Sequence, residues 1–177
     1  MIQLCSNDDP PVSFTVPRKA VELSKTIKTM LEDLEGFDME QTPIPLPNVD
    51  APTLELIVKW VEQHQDDPPP VEKPRVEDDD SDDSDADDDQ EPEVVIPEWD
   101  KKFLPTDDEQ KNQLFKLLNA ANYLEIKPLL DIGCKYVADK ISGQTVEWVR
   151  DYLNMENDYT PEEEAKLKEE IAWAEGL

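Results

Sequence analysis

The sequence has one histidine, two cysteines and four glycines, and its 44 acidic residues far outnumber its 17 basic ones. Each shortage removes a class of chemistry. His64 has no cysteine or second histidine at ligand spacing and no nucleophile near it, so neither a metal cage nor a histidine-assisted attack is expected. Gly36, Gly133, Gly143 and Gly176 are too scattered to build a phosphate-cradling loop. Cys5 and Cys134 are isolated, and in a reducing interior they read as free structural thiols. No apolar run approaches the roughly 18 residues of a membrane span. The N-terminal "MIQLCSNDDPP" has neither the basic start nor the apolar core of a signal peptide. The scarcity of lysine and arginine argues against unaided binding to nucleic acid or to anionic membrane. These absences predict a soluble intracellular chain that is not an enzyme and carries no cofactor.

What is abundant is negative charge, and it is unevenly placed. Net charge is −27 overall, but residues 65–98 alone hold 16 acids against 2 bases. From Glu77 to Glu93, 12 of 17 residues are acidic and none is basic, while Pro68, Pro69, Pro70 and Pro74 precede them. Self-repulsion and proline together predict a disordered insertion over 67–97. It has no scaffold for paired acid–base work or a cation cage. Ser84, in "SDAD", carries the acidic flank that acid-directed kinases prefer and is a candidate phosphorylation site.

The flanking regions read as folded. "IQLC" and "VSFTV" around the turn-rich "SNDDPP" predict a hairpin. "PRKAVELSKTIKTMLEDLEG" reads helical, with Ser24 as a cap, Gly36 as a stop and Ile27, Met30, Leu31 and Leu34 on one stripe. "TPIPLPNV" suits an edge strand. In "DAPTLELIVKWVEQHQ", Leu54, Ile57, Val58 and Val61 recur at helical spacing. After the insertion everything reads helical. Capping boxes are expected at Thr106–Glu109 and Thr160–Glu163, with Thr145 as a further cap and Pro161 in the first turn of the last helix.

The stretch "LFKLLNAANYL" poses the functional question. On a helical wheel with Leu114 at 0°, Leu117, Leu118, Ala121 and Leu124 gather within about 80° of it and form the core face. Phe115, Asn119 and Asn122 lie on one flank, and Tyr123 falls near 180°, away from the core. Tyr123 either closes the helix over a neighbouring loop or belongs to a contact surface. The next helix is apolar on two sides: Leu130, Cys134, Val137 and Ile141 form one stripe, and Leu129, Ile132 and Tyr136 another. Such a helix is sandwiched within its own domain or completed by a partner. In the last helix, Leu167, Ile171 and Ala174 form a stripe, while Trp173 points elsewhere, either packing loosely or anchoring a partner.

Taken together and in order, "TIKTMLEDL", "PIPLPNV", "HQDDPPP", "LFKLLNAANYLEIKPLLDIGCKYVA" and "NDYTPEEEAKLKEEIAW" resemble the Skp (S-phase kinase-associated protein) adaptors of SCF ubiquitin ligases. The resemblance implies an α+β, mostly helical, BTB/POZ-type fold with two additional C-terminal helices. Residues 1–66 and 98–124 would form the BTB/POZ-type domain, interrupted by the insertion, and residues 125–177 the F-box-binding region. It implies cullin contact at Asn122 and Tyr123. F-box contact falls on Phe115, Leu130, Val137, Met155, Asn157, Asp158 and Trp173. By the same resemblance Pro161 is a candidate for hydroxylation and glycosylation, and a weak homodimer is expected when no F-box is bound. Partners are then a cullin and F-box proteins, with no nucleic acid and no membrane. Two other readings stay open: an acidic chaperone that shields basic proteins through residues 77–93, and an adaptor of this fold working outside ubiquitination, for example at kinetochores.

Overall fold

The computed structural model describes residues 1–33, 43–67, 94–105, 110–160, 162–163 and 165–167, in two compact units, Met1–Asp139 and Lys140–Leu177. In the first, strands β1 (Ile2–Cys5) and β2 (Ser13–Val16) pair antiparallel, Ile2 opposite Val16 and Leu4 opposite Phe14. This is the expected hairpin. Period-two alternation sends Ile2 and Leu4 into the core. β3 (Ile44–Pro45) joins β1 in parallel, giving the order β2-β1-β3. An edge position suits Pro45, which has no N–H to offer a further strand.

Helices α1 (Arg18–Val21) and α2 (Lys25–Asp33) meet at Ser24, which has two jobs. Its hydroxyl oxygen accepts from the Ile27 N–H at 3.2 Å, capping α2, and donates to the Leu124 carbonyl at 2.5 Å, across the fold. Ile27 and Leu31 are buried and Met30 packs against them, whereas Leu34 and Gly36 lie outside the described residues. Helix α3 (Ala51–His64) starts at Asp50, whose Oδ1 accepts from the Thr53 N–H at 3.0 Å. Leu54, Ile57, Val58 and Val61 are buried as their spacing predicts, and so is Trp60, off that stripe. After residues 68–93 the chain returns as α4 (Glu98–Phe103). Helices α5 (Lys111–Tyr123) and α6 (Lys127–Ile141) complete this unit, with α5 packed on α3. Thr106–Glu109 lie outside the described residues.

Two features hold α5. Its Lys116 donates to Asp50 Oδ2 at 2.7 Å, binding α5 to the start of α3. On α6, a Cβ at Gly133 would stand 2.1 Å from Leu118 Cδ2, so the missing side chain is what lets the helices approach closely. Leu118 is partly buried and packs against the core as the wheel placed it, and Ala120, which the wheel left out, is buried. Helix α5 has neighbours on more than one side, and a single-stripe wheel assumes one.

The Lys116 hydrogen bond, followed by that from Thr53, holds the Asp50 carboxyl below its ordinary range, and Asp50 in turn raises Lys116. A depressed carboxyl pKa gives stability that is complete above the unfolded value, about 4, and is lost as pH falls through the folded one. Asp50→Asn keeps an N-cap acceptor but removes the charge. In melts run from neutral pH down past about 4, the gap between wild type and Asp50→Asn is expected to narrow. A gap that stays constant would mean that the carboxylate charge is not its source.

In the second unit, Gly143 (φ 74°) ends the turn after α6, a left-handed position that suits a residue without Cβ. Helix α7 (Val146–Tyr152) begins as expected at Thr145, whose Oγ1 accepts from the Trp148 N–H at 3.2 Å. Trp148 stacks on Tyr152 at 4.9 Å, and the Arg150 guanidinium lies 5.6 Å from the Tyr159 ring centre. The Thr160–Glu163 capping box forms in both directions. The Thr160 N–H donates to Glu163 Oε2 at 2.9 Å, the Glu163 N–H donates to Thr160 Oγ1 at 3.4 Å, and the Thr160 bonds lower the Glu163 pKa. Residues 162–163 and 165–167 are helical; Pro161 and Trp173 lie outside the described residues.

Candidate functional site

The residues in question begin at the C-terminus of α5. The N–H of Ile126 donates to the Ala121 carbonyl at 2.9 Å, and the N–H of Glu125 to that of Asn122 at 3.1 Å. With Glu125 at φ 51°, these are the paired bonds of a Schellman close, carried by a glutamate where glycine is usual. The close buries Leu124 and Ile126 beneath the end of the helix and leaves Asn122 exposed. Tyr123 is half-buried. Its ring packs against the core cluster, and its carbonyl accepts from Thr26 Oγ1 at 3.2 Å. The wheel put Tyr123 away from the core, whereas the structure packs it against the core cluster and leaves the rest of the residue open, because α5 ends here and the chain turns back beneath it. Asn119 is exposed one turn earlier, following Lys116.

Helix α6 gives its two apolar stripes different environments, although Val137 of the second stripe also packs against the core cluster. Leu129, Ile132 and Gly133 are buried, with Tyr136 partly so, and they take the core. On the other stripe, Leu130 and Val137 are half-buried and Cys134 between them is exposed. Within the first unit this second stripe is less covered than the core stripe. Phe115, on α5, is half-buried too.

In the second unit, α7 ends in the same kind of close as α5, with the Met155 N–H on the Arg150 carbonyl at 2.8 Å and Asn154 at φ 54°. The chain beyond it is laid open: Met155 is 59% exposed and Tyr159 46%, and Asn157 and Asp158 are exposed. Asn157 Oδ1 accepts from the Tyr159 N–H at 3.3 Å, which shapes this turn. Val146 and Leu167 are exposed as well. Aliphatic and aromatic side chains are thus exposed alongside the polar Asn157 and Asp158.

One cluster was invisible in the sequence. The buried Asp100 of α4 accepts from Trp60 Nε1 of α3 at 2.8 Å, and His64 stacks on Trp60 at 4.3 Å. No sequence spacing links positions so far apart. Among the described residues, no group of three or more histidine, cysteine or acidic side chains is placed to hold a metal ion, and no helix is long and apolar enough to cross a membrane. The surfaces have the chemistry of protein contact: apolar stripes, an exposed amide and an aromatic ring at a helix end.

Comparison with known proteins gives these surfaces a context. Residues 1–66 match a family model described as the Skp1 family tetramerisation domain, and residues 127–174 one described as the Skp1 family dimerisation domain. A protein of Arthroderma benhamiae named E3 ubiquitin ligase complex SCF subunit sconC is 44% identical over 98% of this chain and 94% of its own length. Proteins of the same name from Emericella nidulans and Talaromyces stipitatus are 46% and 39% identical, over 99% and 98% of this chain and 96% of each relative.

Proposed function

The chain belongs to the Skp1 family, and from that premise we propose that it is a non-catalytic adaptor of an SCF-type E3 ubiquitin ligase, bridging a cullin scaffold to F-box substrate receptors. Near-full-length identity to relatives named as SCF subunits carries this assignment. The match over residues 1–66 supports a BTB/POZ-type fold for that part of the chain.

The mechanism is positional. An adaptor that holds a receptor and a scaffold together raises the effective concentration of bound substrate near the ubiquitin-charged enzyme and takes no part in bond making. Asn122 and Tyr123 are assigned to the cullin. Asn122 is exposed, and Tyr123 offers ring area already ordered by the core, so little entropy is lost on docking. Leu130 and Val137 on the open stripe of α6, with Phe115, Met155, Asn157, Asp158 and Trp173, are assigned to the F-box.

Affinity purification with partner identification tests the class: a cullin and several F-box proteins are expected, and their absence would overturn the assignment. Point substitutions test the two-surface division. Tyr123→Ala is expected to weaken cullin binding by about 2 kcal/mol, roughly 30-fold, and to spare F-box binding. Trp173→Ala should do the reverse. Equal loss of both partners in both variants would rule out separate surfaces.

A further inference from the structure

Glycine is the poorest helix former after proline, because it loses the most backbone freedom on folding. Yet Gly133 stands in the middle of α6, a helix of 15 residues, and is buried there. A buried glycine inside a helix calls for a reason in the packing, and here the reason is Leu118 of α5. A Cβ at position 133 would stand 2.1 Å from Leu118 Cδ2 and 3.4 Å from its Cγ. The leucine thus occupies the space that any other side chain at 133 would need.

Helices α5 and α6 are joined by the close at Leu124–Ile126, where the Ile126 N–H donates to the Ala121 carbonyl at 2.9 Å. Leu129 and Ile132 hold α6 to the core. The Leu118 contact, about two turns from the close on both helices, then sets how near α6 stands to α5. Residues three and four apart share a helix face. By that spacing Phe115 lies one turn from Leu118, and Leu130 and Val137 lie one turn to either side of Gly133. All three are half-buried. The contact therefore sits at the seam where α5 and α6 each contribute to the surface assigned to the F-box. Asn122 and Tyr123 are next to the close, where a change in the spread of the two helices displaces them least.

Resting on that F-box assignment, we infer that Gly133 is a positioning residue for receptor recognition. By admitting Leu118, it holds Phe115 of α5 at the distance from Leu130 and Val137 of α6 that one receptor segment spans. Gly133 itself is buried and touches no receptor. Any side chain at this position displaces Leu118 or pushes α6 outward, and either change reshapes the seam.

The test is a double-mutant cycle in the full-length chain: wild type, Gly133→Ala, Leu118→Ala and the two together. Affinity is measured for the cullin and for one F-box receptor recovered by the affinity purification, with a melting curve for every form. A wild type that binds no F-box receptor would overturn the functional assignment and the inference with it. Given that binding, Gly133→Ala is expected to weaken it about tenfold, the scale of an overpacked contact, and to leave cullin affinity within about twofold. In the Leu118→Ala background the same substitution is expected to leave F-box affinity unchanged, because the space is free. The melting curves should change sign in the same way: Gly133→Ala lowers Tm when Leu118 is present and raises it, through better helix propensity, when Leu118 is alanine. Should Gly133→Ala not fold by itself, the double variant decides. Folding with the F-box affinity of Leu118→Ala supports the inference, and no recovery overturns it. Equal weakening by Gly133→Ala with and without the Leu118 side chain would also overturn it, as would an unchanged F-box affinity or an equal loss for both partners.

Discussion

Trp60→Ala is expected to destabilise the protein by about 3–5 kcal/mol, the range for removing a large buried aromatic ring. Trp60 is 1% exposed, and its loss acts in three places at once. It opens a cavity between α3 and the rest of the core. It takes away the N–H that holds Asp100, leaving a fully buried carboxylate with only the more distant His64 nitrogen before it. It also removes the face on which His64 stacks. Domains of this size are stable by about 5–15 kcal/mol, so the variant should lie near the threshold of folding. Denaturant titration measures the loss directly. Trp60→Phe separates the parts, because it restores most of the ring but not the N–H. If Trp60→Phe proves as stable as wild type, the bond to Asp100 contributes nothing.

The second large effect is expected on binding. Replacing Leu130 and Val137 together with alanine should cost about 4 kcal/mol of F-box affinity, close to a thousandfold, if each is an anchor of ordinary strength. The two share the stripe of α6 that the core leaves partly open, while Leu129 and Ile132 on the opposite stripe are already spent on the core. Because Val137 also touches the core cluster, the variant's own melting curve is measured alongside. A modest drop in Tm with a thousandfold loss of F-box affinity and unchanged cullin affinity is the expected result. Undiminished F-box binding would remove the α6 stripe from the interface. Leu129→Ala serves as the opposite control, since it should lower stability by about 2–5 kcal/mol through the core.

Much of the architecture is legible because it is local. Ser24, Thr145 and the Thr160–Glu163 pair start helices where their side chains reach N–H groups two or three residues on, and every one of these bonds is present. The stripe Leu54, Ile57, Val58 and Val61 is buried as its spacing predicts. The separation of Leu129 and Ile132 from Leu130 and Val137 on α6 was readable as two stripes, but not which of them the core would take. The close of α5 was harder to read, because its left-handed residue is Glu125 rather than glycine. What Leu118 packs against was not readable, because it meets Gly133 on another helix.

Sequence alone determined the quantities that depend on neighbours along the chain: helix starts, stripe periods, the concentration of charge in residues 65–98, and the order of segments by which the family is known. Tertiary structure alone decided what depends on distant partners. It buried Trp60, set Asp100 beneath it, placed His64 between carboxylates from both sides of the acid-rich stretch, and turned Tyr123 half toward the core. The physical reason is the same in each case. A cap or a stripe is satisfied within a turn or two of chain, whereas a buried carboxylate or indole is satisfied only by a group that folding brings to it.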